Sequence, residues 1–211
     1  MSVLIKIPVV LLSVLITACA TFKPDYDSVT DRSWPQRRQL LESMVNWQFD
    51  GRVAIKAERG SGKMGVRWLQ QGDQFDIKLL SMFGQQLANI SGAMGGPVTL
   101  IRPDRDPLSA ETSAELMANE MNWYLPLDGL RYWVLGVPVP GYAARITLDG
   151  WNRLGVLDQD GWRIEYTDFQ SVDGVSLPRK LRLIHPLLSA KLILDQWRLD
   201  KPDYVHTIVA P

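Results

Sequence analysis

From Trp47 onward, apolar and polar residues alternate along the chain with a period of two. The first alternating segment carries four apolar residues at odd positions, namely Trp47, Phe49, Val53 and Ile55. Later segments repeat the pattern and are separated by turns such as Gly60-Ser61-Gly62 and Gly72-Asp73. Because successive side chains of a β-strand point to opposite faces, each segment has one apolar and one polar face. The pattern therefore predicts consecutive antiparallel β-strands joined by hairpins.

One helical segment, beginning near Trp34, precedes this pattern, and two more, beginning near Ala114 and Leu127, interrupt it. Ser33 and Pro35 are typical of the start of the first helix. About ten or eleven strands with three helices fit a curled antiparallel sheet whose concave apolar face is covered by the helices. We therefore expect a mainly β fold of the α+β class, built as a single domain over residues 34–211.

The N-terminus has an apolar run from Ile7 to Ile16 that follows the single charge of Lys6. The run is shorter than the roughly 20 apolar residues that a transmembrane helix needs, and it has the length of a signal-peptide core. The segment Leu15-Ile16-Thr17-Ala18-Cys19 resembles the lipobox of bacterial lipoproteins. The resemblance implies a signal peptide over residues 1–18, cleavage before Cys19 and lipidation of its thiol and new amino group. The alternative is an ordinary secretory signal that ends at a free thiol.

Cys19 is the only cysteine in the chain, so it has no partner for an internal disulfide. Residues 19–33 are polar and lack periodicity, and they are interpreted as the lipidated cysteine and a tether. Ala20 follows the cysteine, whereas Asp at that position is the usual inner-membrane retention signal of enterobacterial lipoproteins. We therefore expect a lipid anchor in the outer membrane, on its periplasmic face, and no cofactor besides the covalent lipid.

The charge balance and the missing motifs exclude several classes of protein. The chain has 23 basic and 23 acidic residues and no basic run, which argues against a nucleic-acid partner and against a polybasic lipid-binding segment. Neither of its two histidines has a cysteine or carboxylate beside it at the spacing of metal ligands. The chain also lacks a nucleophile elbow and a phosphate-binding loop. The sequence therefore predicts no metal site and no enzymatic activity.

The segment Ser81-Met82-Phe83-Gly84 joins two predicted strands and does not look like an ordinary turn. Turns are usually polar or rich in glycine, yet this one has two large apolar residues at its tip. An exposed Phe lacks the roughly 1.5–3 kcal/mol of stabilising free energy that burial of its side chain would give. Such a tip therefore implies a bilayer or protein partner. The alternative is that the loop folds back into the core.

At this loop the sequence resembles the LolB family of outer-membrane lipoprotein receptors. The resemblance rests on the Cys19 lipobox, on the strand and loop from Phe75 to Gly84, and on the segment from Pro126 to Gly136. Gly161 to Tyr166 and Leu177-Pro178-Arg179 add to it. It implies an unclosed antiparallel β-barrel with a helical lid over an apolar cavity. It also implies a membrane-insertion loop, here formed by Met82, Phe83 and Gly84.

The family resemblance implies that the chain accepts triacylated lipoproteins from the periplasmic carrier LolA and inserts them into the inner leaflet of the outer membrane. No nucleotide motif is present, so transfer is expected to run downhill, with client lipoproteins, LolA and outer-membrane lipid as partners of a monomer. The expected acyl-chain cavity is lined by ten apolar residues of the strands and the lid: Val53, Ile55, Val66, Trp68, Ile77, Leu79, Leu116, Met117, Leu130 and Trp133.

Two other functions are compatible with this sequence. One is a lipid-modifying enzyme, which the missing nucleophile and base argue against. The other is a structural outer-membrane lipoprotein that scaffolds an envelope complex. A scaffold would have a packed interior without a cavity and would not require Phe83.

Overall fold

Eleven β-strands form one continuous antiparallel sheet in the computed structural model, which describes residues 33–58, 60–120 and 123–199. The predictions for the signal peptide, for Cys19 and for the tether up to residue 32 lie outside the described residues. The strands are β1 (Asn46–Ala57), β2 (Gly60–Gln71), β3 (Gln74–Leu80), β4 (Gln86–Ala93), β5 (Val98–Arg102), β6 (Arg105–Ala110), β7 (Ala144–Leu148), β8 (Leu154–Gln159), β9 (Trp162–Val172), β10 (Val175–His185) and β11 (Leu188–Leu199).

The strand order is β6-β5-β4-β3-β2-β1-β11-β10-β9-β8-β7. Apart from β6 and β7, strands that follow each other in sequence are paired, and the pairing of β1 with β11 joins the two halves of the sheet. In the described part of the chain the edge strands β6 and β7 do not pair with each other, so the barrel stays unclosed. This arrangement confirms the predicted mainly β, unclosed fold.

Three short helices complete the fold: α1 (Trp34–Glu42), α2 (Ser113–Glu120) and α3 (Leu127–Trp133). Helix α1 precedes β1, and its buried Arg37 donates a hydrogen bond to the carbonyl of Ser176. Helices α2 and α3 lie in the connection between the two edge strands, so the chain that crosses between the edges also supplies the lid. None of the described helices is long and apolar enough to cross a membrane.

The hairpins of β8–β9 and β9–β10 show why the strands turn where the sequence predicts. Asp160 and Gly161 have φ values of 50° and 76°, and Asp173 and Gly174 have φ values of 48° and 78°. Two consecutive positive φ values define a type I′ turn, whose twist matches that of antiparallel strands. Asp-Gly is a preferred dipeptide for this turn, so the local sequence fixes both hairpins.

The core lies on the concave face and contains the inward residues of every strand from β1 to β5 and from β8 to β11. An aromatic cluster stands at its centre, where Trp47 packs against Phe49, Trp68 and Trp197 with ring centroids 5.5–5.8 Å apart. Such stacked, tilted and edge-on pairs contribute about 0.5–1.5 kcal/mol each beyond their buried area. The cluster fixes the seam where β1 joins the last strand of the sheet.

Candidate functional site

The loop between β3 and β4 is a well-ordered turn. The N–H of Gly84 donates to the carbonyl of Ser81 at 3.0 Å, and the N–H of Ser81 donates to the carbonyl of Gln85 at 2.8 Å. The Ser81 hydroxyl oxygen accepts two further hydrogen bonds, from the N–H of Phe83 at 3.2 Å and of Gln85 at 3.1 Å. Gly84 has a φ of 80°, a left-handed value that favours glycine. These contacts hold the tip of the loop in one conformation.

Met82 and Phe83 occupy the two central positions of this turn and point into solvent. Their side chains are 80% and 93% exposed, more than any other large apolar residue among those described. The alternative in which the loop folds back into the core is therefore wrong. The fold presents two apolar side chains on a rigid tip, which leaves their burial free energy available to a partner.

A small apolar cavity lies between the concave face of the sheet and the lid helices. Its volume is about 50 Å³, the space of one or two water molecules at roughly 30 Å³ each. Eight residues of its wall belong to the set expected from the sequence: Val53, Ile55, Val66, Trp68, Ile77, Leu79, Met117 and Leu130. The interior is therefore apolar and continuous with the lid, but it is nearly filled.

The sequence-based set omitted seven further residues of the cavity wall: Phe49, Met64, Ile90, Trp123, Leu125, Leu127 and Leu192. Five of them lie on the same alternating or helical faces as the predicted residues, so periodicity was a sufficient signal for them. Trp123 and Leu125 lie between α2 and α3, outside any regular element. For these two, no pattern in the sequence marked an inward orientation.

The structure places Leu116 and Trp133 away from the cavity wall. Leu116 is buried at 1% exposure within the wider core, on helix α2, which contacts β5, β6 and α3. Trp133 packs against Trp162 with ring centroids 5.9 Å apart. It also borders an open cleft of about 550 Å³ that runs between α3 and Gln159. Whether either residue touches a bound acyl chain stays a prediction.

The N-terminal half of α3 is fastened to turns of the first half of the sheet. Asp128 accepts a hydrogen bond from the N–H of Gly95 at 3.0 Å and another from the hydroxyl of Ser113 at 3.1 Å. Arg131 forms an ion pair with Asp73 in the β2–β3 turn, with Nη1 and Oδ1 3.0 Å apart. These polar contacts add to the apolar packing of α3, which buries Leu127, Leu130 and Trp133 in the core.

The C-terminal half of α3 is fastened to the second half of the sheet. The indole N–H of Trp133 donates to Gln159 at 3.1 Å, and the hydroxyl of Tyr166 donates to the carbonyl of Trp133 at 2.9 Å. Burial raises the pKa of Tyr166 far above its ordinary value, because the low-dielectric core disfavours the phenolate. Sequence reasoning missed Gln159, although a Gln at the end of an apolar strand was a usable signal.

The described residues contain no group of three or more His, Cys, Asp or Glu side chains that could hold a metal ion. The features that stand out chemically are therefore the exposed apolar tip at Met82 and Phe83 and the apolar interior beneath a hydrogen-bonded lid. Both present apolar side chains, one set outside and one set inside the sheet.

Two solved structures share this fold. A LolA superfamily protein from Nitrosomonas europaea superposes with a TM-score of 0.54 over 82% of this chain and 96% of its own length, at 10% identity. A putative outer membrane lipoprotein-sorting protein domain from Vibrio parahaemolyticus gives a TM-score of 0.52 over 80% of this chain and 92% of its own length, at 12% identity. At these identities the likeness concerns the fold alone.

Sequence relatives are closer. The outer-membrane lipoprotein LolB of Nitrosococcus oceani is 34% identical over 197 residues, which are 92% of this chain and 98% of the relative. LolB of Pseudomonas aeruginosa is 36% identical over 167 residues, which are 79% of this chain and 81% of the relative. The family model described as outer membrane lipoprotein LolB matches residues 45–197. The chain therefore belongs to the LolB family of outer-membrane lipoproteins.

Proposed function

We propose that this protein accepts acylated lipoproteins from the periplasmic carrier LolA and inserts them into the inner leaflet of the outer membrane. The observation that carries the proposal is the joint presence of the exposed tip at Met82 and Phe83 and an apolar interior covered by the lid helices. The first suits a membrane surface and the second suits acyl chains. Membership of the LolB family supports the same assignment.

The loop acts in docking to the bilayer. Transfer of Phe83 from water into an apolar phase is worth roughly 1.5–3 kcal/mol, and Met82 adds a similar amount. This is too little to anchor the protein, which the lipid on Cys19 does in our proposal. It is enough to favour the orientation in which the tip enters the leaflet, because the turn is already rigid and loses little entropy on insertion.

The cavity must expand before it can hold an acyl chain. Its volume of about 50 Å³ is far below the roughly 300–1,000 Å³ of ordinary ligand pockets. We propose that α3 swings away when its contacts with Asp73, Gly95 and Gln159 break. Binding energy from the acyl chains then stabilises the open state, since a ligand shifts a conformational equilibrium by its preference for one state.

The direction of transfer follows from relative affinities and needs no nucleotide. Acyl chains bind least tightly in the carrier, more tightly in this protein and most tightly in the bilayer, where about 0.8 kcal/mol is gained for each buried methylene.

In this proposal residues 1–18 are the signal peptide, residues 19–33 the lipidated cysteine and tether, and residues 34–211 the receptor domain, which acts as a monomer.

The test is delivery of a radiolabelled lipoprotein from LolA to outer-membrane vesicles by the full lipid-modified protein. Phe83→Glu is expected to accept the client but to deliver it at least tenfold more slowly, because the charge opposes insertion. Phe83→Leu is expected to retain delivery, since apolar bulk is what the tip contributes. Trp151→Glu is the matched control, because Trp151 is also an exposed aromatic residue (55%) on another loop.

Each outcome separates the receptor from a scaffold. A Phe83→Glu variant that delivers normally leaves the loop without an insertion role and favours a scaffold. A nearly filled interior is also what a scaffold would have, so saturable binding of a fatty-acyl probe by the wild-type protein is the second requirement. Failure of every fatty-acyl probe to bind would contradict the receptor.

A further inference from the structure

A shallow depression of about 430 Å³ lies on the outer face of the sheet, beside the β3–β4 loop. At its centre, Ala54 of β1 pairs with Lys63 of β2 on one side and with Lys191 of β11 on the other. Gly65 and Ile193 extend the floor along the same strands, and Met82 closes the side next to the loop. We call this surface, formed by Ala54, Lys63, Gly65, Met82, Lys191 and Ile193, the lysine groove.

The groove is basic, and its two lysines are available. Lys63 and Lys191 are exposed, and neither pairs with a carboxylate in the part of the chain that the structure describes. Arg52 also borders the groove, but both of its hydrogen bonds go to Asp195, at 2.9 and 3.1 Å. No carboxylate is among the residues that line the groove. Two uncompensated cations therefore flank an apolar floor.

The position of the groove matters as much as its charge. Ser81 and Met82 belong both to its wall and to the turn that presents Phe83. When the tip enters a leaflet, residues next to it lie at the depth of the headgroups. Gly65 pairs with Leu80 at the end of β3, and Lys63 lies on the loop side of that pair, so the row of Lys63, Ala54 and Lys191 lies beside the tip, where it meets the headgroup phosphates.

We propose that the lysine groove binds one anionic phospholipid, with its phosphate between Lys63 and Lys191. Lys63, Ala54 and Lys191 lie on the outer face of the sheet, whereas Val53 and Met64 border both this groove and the acyl-chain cavity. The proposal rests on insertion of the β3–β4 loop and adds a lipid class to it. Charge complementarity selects the ligand, since a net anionic lipid suits two unpaired lysines better than a zwitterionic one.

The test uses the full lipid-modified protein in dodecyl maltoside micelles doped with dioleoyl phosphatidylglycerol or dioleoyl phosphatidylcholine. Native mass spectrometry measures the fraction of protein that retains one lipid. Each basic residue near a membrane surface is worth about a fivefold change in affinity, so Lys63→Gln/Lys191→Gln is expected to weaken phosphatidylglycerol retention about 25-fold. Phosphatidylcholine retention is expected to be weaker in the wild type and unchanged by the variant.

Two further variants separate a built site from general attraction. Lys78→Gln/Lys180→Gln removes the same charge from the outer face of β3 and β10, where both lysines already have aspartate neighbours, and it is expected to retain phosphatidylglycerol. Ala54→Leu fills the floor while keeping both lysines, and it is expected to lower retention at least fivefold. Equal retention by wild type and Lys63→Gln/Lys191→Gln, or an equal loss in the control pair, would overturn the proposal.

Different experimental results would contradict the proposed lipid site and the proposed receptor function. Phe83→Glu is expected to retain phosphatidylglycerol in micelles while losing delivery. Lys63→Gln/Lys191→Gln is expected to deliver into phosphatidylcholine vesicles as well as wild type, and to lose the added rate that phosphatidylglycerol gives. Normal delivery by Phe83→Glu would contradict the insertion step, whereas an unaltered phosphatidylglycerol response in the lysine variant would contradict only the groove.

Discussion

The indole N–H of Trp133 in helix α3 donates a 3.1 Å hydrogen bond to the side-chain oxygen of Gln159 in strand β8. The same oxygen accepts the N–H of Val139 at 2.8 Å, and the amide nitrogen of Gln159 donates to the carbonyl of Val139 at 3.0 Å. One buried side chain therefore holds both the lid helix and the segment that follows it. Gln159 is only 4% exposed, so water cannot readily replace these partners.

Replacement of Gln159 by Leu is expected to loosen the lid. The buried indole N–H of Trp133 loses its acceptor, which costs about 1–3 kcal/mol, and the half-buried N–H of Val139 loses its acceptor as well. Urea unfolding should show a lower midpoint, and a fatty-acyl probe should bind faster because the lid opens more often. Gln196→Leu, at an exposed position of β11, is the control. Equal midpoints for the Gln159→Leu variant and wild type would show that Gln159 does not fasten the lid.

Leu130→Ala tests the seal between the lid and the cavity. Leu130 lies on α3, is 4% exposed and lines the cavity wall. Truncation of a buried Leu costs about 2–5 kcal/mol and enlarges the space beneath the lid. We expect a less stable protein that takes up an acyl probe more tightly, whereas Leu187→Ala, on an exposed turn, should change neither quantity. A loss of probe binding would mean that Leu130 is a ligand contact and not a seal.

Tyr166 predicts a pH dependence of stability above pH 10. Burial raises the pKa of its phenol in the folded state above the ordinary value of 10.0. Below pH 10 the Tyr166 phenol is protonated in both the folded and the unfolded state, so its contribution to the free energy of unfolding is fully present. Above pH 10 the unfolded state releases a proton that the folded state keeps, so wild type should lose about 1.4 kcal/mol per pH unit relative to Tyr166→Phe. Unfolding curves measured from pH 8 to 11 check this, and parallel pH profiles would contradict it.

Gly84→Ala tests whether the β3–β4 turn must be rigid. A Cβ at this position would meet no atom within 4 Å, so the cost comes from the φ of 80° alone. Left-handed backbone costs a non-glycine residue roughly 1–2 kcal/mol. We expect that loss in thermal unfolding and a partial loss of delivery, smaller than for Phe83→Glu. Gly150→Ala is the matched control, because Gly150 also has open space but no positive φ.

The anchor prediction is checked by mass spectrometry of the protein extracted from membranes. The N-terminal peptide is expected to begin at Cys19 and to carry three acyl chains, because the lipobox precedes this residue. A peptide that retains residues before Cys19, or an unmodified thiol, would contradict the anchor and leave an ordinary secreted domain.

The chain's local pattern determined the elements and their inward faces. Alternation with a period of two identified the apolar sides of β1, β2 and β3, and Asp-Gly dipeptides located two type I′ hairpins. β6 (Arg105–Ala110) was the element without such a signal, because it has no inward apolar series and is defined by pairing with β5.

The resemblance to the LolB family, confirmed by its relatives, also supports the prediction that the chain is not an enzyme.

Only the tertiary structure decided how much space the apolar faces leave and which distant residues meet. The sequence marks Ile77 and Leu130 as inward, but the size of the cavity between them depends on how closely the lid packs. Likewise the sequence contains no basic run, yet β1 brings Lys63 and Lys191 to either side of Ala54. Periodicity acts over neighbouring residues, whereas cavity volume and cross-strand neighbours are set by the pairing of strands far apart in the chain.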